Sequence, residues 1–176
     1  MPRHADHDHD HDDDYDDRRK VPSFGSGFVE YDKHGIRFQF PGDWELTEQT
    51  IDRETTISLQ SEGTSFWTVM LFRERPAVDT VLETVVAAIK QEYDEVDVVS
   101  TVESLSGMPS LGRNLDFVCF DLVNSAIISA FQTSDLTVMV LYQGTDHELQ
   151  TTREQLESIT RSLRCEDDVD DAFAVE

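Results

Sequence analysis

Residues 78–93, VDTVLETVVAAIKQEY, decide the fold. Val78, Val81, Leu82, Val85, Val86, Ile89 and Tyr93 recur at three- and four-residue steps, so an α-helix here carries one apolar stripe. About five strand-like runs precede this helix, and about four follow it before a closing helix. A helix in that place buries its stripe only against a sheet built from both blocks. The expectation is a single small α+β domain.

Working back from the helix, Pro76 suits its entry. Phe66 to Arg73 is apolar on both faces: Phe66, Met70 and Phe72 on one, Trp67, Val69 and Leu71 on the other. Such a strand is expected to lie centrally with both faces covered. It forms a hairpin with Thr56 to Ser61 across Glu62-Gly63-Thr64. Trp44 opens a strand that runs to about Thr50. Ile36, Phe38 and Phe40 alternate with Arg37 and Gln39, which reads as a half-buried strand ended by Pro41-Gly42-Asp43. Phe28 to Tyr31 is the first strand, turned by Asp32-Lys33-His34-Gly35.

Forward from the helix, Val96 to Ser104 is a strand and Gly107-Met108-Pro109 a loop. Leu115 to Leu122, Ala126 to Thr133 and Leu136 to Tyr142 follow, joined by short polar turns that predict an antiparallel meander. Thr145 to Glu148 matches a capping box, a hydroxyl at the N-cap and a carboxylate three residues later. The helix it opens turns Leu149, Leu156, Ile159 and Leu163 toward the sheet.

The domain so defined spans residues 28–165. Residues 1–27 form a His/Asp-rich tail and a Gly/Ser joint, and residues 166–176 an acidic tail. Both are too polar to offset the entropy of ordering and are expected to be disordered. The 176 residues carry a net charge of −23; the first twenty hold −4 and the last eleven −6, which leaves −13 for the body. A body that acidic repels phosphate backbones and anionic bilayers, and favours a protein partner with a basic surface, or a cation. No apolar stretch is long enough to cross a membrane, and the charged N-terminus has no secretory pattern, so cytoplasm is the expected location. The oligomeric state is not legible.

The stretch Gly35-Ile36-Arg37-Phe38-Gln39-Phe40-Pro41-Gly42-Asp43-Trp44-Glu45-Leu46 resembles the opening of Mog1/PsbP-like domains, alternating apolar residues before a proline and a tryptophan. The element order is similar to theirs, as is the closing phrase Ile159-Thr160-Arg161-Ser162-Leu163-Arg164. The resemblance covers about residues 28–165 and implies an αβα sandwich, a mainly antiparallel sheet flanked by helices. It also implies a non-enzymatic role. Members bind a small GTPase or attach to a photosynthetic complex, and these activities belong to the members rather than to the fold. No functional residue of the family maps onto this chain.

Reactive chemistry is sparse. His4, His7, His9 and His11 interleave with Asp, and imidazole with carboxylate suits Zn²⁺, Ni²⁺ or Cu²⁺. A flexible tail would hold such an ion weakly, because nothing fixes the geometry. Cys119 lies between Val118 and Phe120, and Cys165 follows the last helix; both read as idle thiols. The only histidines in the folded part, His34 and His147, fall in a turn and at a helix start, so a Cys–His dyad is not expected. Trp44 and Trp67 read as core residues rather than a ligand platform. No nucleophile elbow, phosphate loop, zincin or dinucleotide motif occurs. The sequence therefore reads as a non-catalytic protein-binding or adaptor domain without a resident cofactor. The alternative is divalent-metal binding or buffering by the tail.

Overall fold

A computed structural model describes residues 27–166; the histidine-rich tail, most of the joint and all but the first residue of the acidic tail lie outside the described residues. Five strands come first: β1 (Phe28–Lys33), β2 (Ile36–Pro41), β3 (Glu45–Ile51), β4 (Glu54–Gln60) and β5 (Phe66–Phe72). Helix α1 (Val78–Glu92) crosses over to β6 (Val96–Leu105), and β7 (Met108–Cys119), β8 (Leu122–Gln132) and β9 (Thr137–Thr145) meander back. Helix α2 (Asp146–Ser162) and a two-residue strand β10 (Arg164–Cys165) close the described chain. The large sheet runs β3-β4-β5-β9-β8-β7-β6, antiparallel throughout, and the small one β1-β2-β10.

The alternation of side chains across a pleat makes two separate cores. On one face, Ile57, Leu59, Trp67, Val69, Leu71, Val138 and Val140 meet Leu149, Leu156 and Ile159 of α2 and Ile36, Phe38 and Phe40 of the small sheet. Trp67 is fully buried, packs 4.8 Å from the Phe38 ring and donates its indole N–H to Thr160 at 2.9 Å. On the other face, Val81, Leu82 and Val86 of α1 meet Leu115, Phe117, Ala126, Ile128, Ala130 and Met139. Arg113 of β7 reaches Glu83 at 3.1 Å and Asp79 at 3.7 Å, clipping α1 to the strand beneath it. The result is the αβα sandwich that the sequence predicts, with the small sheet sharing a layer with α2. Both tryptophans are core, as expected. No helix of the described residues is long and apolar enough to cross a membrane.

Four details differ from the sequence reading. First, β5 is covered fully on one face only. Helix α1 lies over β7 and β8, so Phe66, Met70 and Phe72 are half-buried beside it. Second, Gly107-Met108-Pro109 is not a loop. The turn is Ser106-Gly107, both left-handed, and β7 starts at Met108. Third, the strand expected at Leu115–Leu122 ends at Cys119, because Phe120 and Asp121 form a tight turn and Leu122 starts β8. Fourth, Arg164 and Cys165 extend the small sheet by pairing with Arg37 and Ile36.

Candidate functional site

His4, His7, His9 and His11 lie outside the described residues. Within residues 27–166, no group of three or more His, Cys, Asp or Glu is placed to hold a metal. Cys119 is half-buried at the end of β7 against the Tyr93 hydroxyl, whose pKa it raises by hydrogen bonding. Cys165 is buried and shares with His34 the wall of a small hollow of about 220 Å³. The His34 Nε2 lies 2.6 Å from Glu48, which also accepts from the Tyr31 hydroxyl at 2.9 Å. These two bonds, His34 first, hold the Glu48 carboxyl below the usual range; burial and then Glu48 hold Tyr31 above its own. The cluster ties the β1–β2 hairpin to β3. Trp44, Trp67, His34 and His147 do not converge on a common site.

Two features stand out instead. The first is the β7–β8 finger. Its turn residues Phe120 and Asp121 have φ of 50° and 62°, a left-handed pair that glycine and asparagine favour. The turn holds Phe120 93% exposed, and Val118, Leu122 and Val123 beside it are exposed too. Acidic groups surround them: Asp121 in the turn and Asp116 down the strand, where it accepts from Ser125 at 2.5 Å.

The second is a cleft of about 490 Å³ between one flank of α2 and the face of β6–β9 that α2 leaves open. Arg153, Glu157 and Arg161 line it from the helix, one turn apart each. Glu103 and the Leu105–Gly107 turn line it from β6, Asn114 from β7, Ile127 and Ser129 from β8, and Tyr142 from β9. Arg161 pairs with Glu157 at 3.7 Å. Arg153 and Glu103 have no ion-pair partner among the described residues, and neither pairs with the other. Tyr142 is 7% exposed, and its hydroxyl has no hydrogen-bond partner among the described residues. Burial, then Glu157 and Glu103 against the two arginines, pushes its pKa up to about 12. On the same sheet face, Thr101 and Ser110 bury hydroxyls that have no partner.

Sequence reasoning missed both features. The finger left no distinct signal, because Phe120 continues the apolar run and Asp121 is a single polar residue within it, as Asp116 is. The cleft had none, because its lining comes from five elements that only the folded sheet brings together.

The layers and strand order define an α+β fold of PsbP-like architecture. The chain superposes on cyanobacterial PsbP (CyanoP) from Synechocystis sp. PCC 6803 with a TM-score of 0.60, at 10% identity over 81% of this chain and 95% of that one. A protein from Bacteroides thetaiotaomicron matches with a TM-score of 0.52 at 9% identity, over 79% of this chain and 48% of that longer one. At these identities the likeness is one of fold. No protein-family model matches the sequence, and no curated protein matches it.

Proposed function

We propose that this chain is a non-catalytic protein-binding module that docks through the β7–β8 finger onto a partner with an apolar pocket in a basic surround. The observation that carries this is Phe120, held almost fully in water by a turn that disfavours it. A large aromatic gives a fold nothing from that position, whereas aromatics anchor protein interfaces. Three exposed aliphatic neighbours widen the patch. The net charge of −23 gives long-range attraction to a basic partner.

Immobilised protein should retain a basic partner from lysate at low salt and release it at about 0.5 M salt, where the Debye length is only a few ångströms. The Phe120→Ser variant should fold normally and retain nothing. Equal retention by variant and parent, or no basic protein retained at low salt, overturns the reading.

The tail supports a second reading, because His4, His7, His9 and His11 alternate with carboxylates. Calorimetric titration with Zn²⁺ or Ni²⁺ should give heat with the full chain and none after deletion of residues 1–20. Partner capture should survive that deletion. Negligible heat from both proteins ends the metal reading.

A further inference from the structure

We propose that the cleft beneath α2 binds a small zwitterionic carboxylate, of amino-acid to dipeptide size, with its carboxylate on Arg153 and its ammonium on Glu103. The finger takes no part, so this site stands independently of the docking surface.

The cleft's volume of about 490 Å³ falls within the range of small-molecule sites. Its charge pattern selects the class. One guanidinium on the helix wall is already neutralised, Arg161 by Glu157. The remaining cation, Arg153, and the remaining anion, Glu103, face the same space from opposite walls. Both lie close enough to act electrostatically on the Tyr142 hydroxyl, yet they do not reach each other. A purely anionic guest would satisfy Arg153 and leave Glu103 opposing it. A cationic guest would do the reverse. A guest with a charge of each sign at its two ends satisfies both, as a pair of charge-assisted hydrogen bonds.

The rest of the lining fits the middle of such a molecule. Tyr142 is buried as a residue, and its hydroxyl, which lines the cleft without a partner among the described residues, is able to donate to or accept from an amide. Ser129 and Asn114 add polar groups beside it. Leu105 and Ile127 give an apolar strip suited to a short side chain. Polar groups that line a cleft without a protein partner are those that a ligand's own polar ends can pair with.

The test uses ¹H–¹⁵N NMR of the full chain with alanyl-alanine, its N-acetyl form and its C-terminal amide. Alanyl-alanine should shift amides of residues 103–107, 127–129 and 153–161. The acetyl form, lacking the ammonium, and the amide, lacking the carboxylate, should each bind at least about tenfold more weakly. Arg153→Gln and Glu103→Gln, both at exposed positions, should each weaken alanyl-alanine by about tenfold and leave the rest of the spectrum unchanged. Tyr142→Phe, which keeps the buried ring, should weaken it less. The proposal fails if alanyl-alanine at about 10 mM shifts none of these amides, a ceiling that corresponds to very weak affinity. It fails equally if all three forms bind alike, or if both charge variants bind as the parent does.

Discussion

Phe120 occupies a position that most hairpins give to asparagine or glycine. Its left-handed φ brings Cβ close to the neighbouring carbonyl, and Asp121 repeats the conformation one residue on. The other two-residue turns with paired left-handed residues, His34-Gly35 and Ser106-Gly107, relieve this with glycine second. The β7–β8 turn has no such relief. Phe120→Asn with Asp121→Gly is therefore expected to stabilise the fold by about 1 kcal/mol, raising the thermal midpoint by a few degrees. Differential scanning calorimetry reads this directly. The same variant should lose partner capture, so stability and binding should move in opposite directions. The residues of this turn hid it in the sequence. Phe-Asp between Cys119 and Leu122 reads as continued strand, and only the register, Cys119 opposite Leu122, shows where the chain reverses.

At the scale of elements, α2 shows what local pattern reveals and what it cannot. The Thr145 hydroxyl caps the helix by accepting from the Glu148 N–H at 3.2 Å, as the Thr-x-x-Glu spacing predicts. The reciprocal half of the capping box is absent. The Glu148 carboxylate reaches 84 residues back, to the Thr64 N–H at 2.8 Å, the Thr64 hydroxyl at 2.5 Å and the Ser65 hydroxyl at 3.1 Å. Gly63 allows this, since a Cβ there would collide with the carboxylate. Glu148 thus fastens the β4–β5 loop to the start of α2. Burial alone would raise its pKa, but the bonds from Thr64 and Ser65 outweigh burial and hold it below the usual carboxylate range. Its contribution is therefore present at neutral pH and is lost as pH falls through that lowered value. Glu148→Ala should cost about 1–2 kcal/mol in urea denaturation at pH 7, since the carboxylate is half-exposed and partly screened. The gap between parent and variant should close at low pH. The helices and most strands were legible because apolar periodicity is local. The first half of β7 was not, because Pro109, Ser110, Gly112 and Asn114 are poor strand formers held in place by β6 and β8. Nor was β10, which is only two residues long and exists through its pairing with β2.

Across the whole molecule, the two helices lie offset on opposite faces of the large sheet, α1 over β7 and β8, and α2 over β8 and β9 in one layer with the small sheet. The uncovered half of one face becomes the floor of the polar cleft. The same offset leaves β6 as an outer strand of ten residues, with Val99 and Val102 in water and no lysine or proline along it. Unpaired backbone groups on such a strand invite another copy to add on. Here, mutual repulsion between molecules of charge −23 opposes that at neutral pH. The charge vanishes near the sequence pI of 4.3. Light scattering should show association setting in as pH approaches that value, and Val102→Lys should suppress it by leaving a cation on the strand. Acidification would thus weld neighbours into ribbons along a seam that ordinary buffer keeps open, which sets an acid limit on how long this chain persists as separate particles.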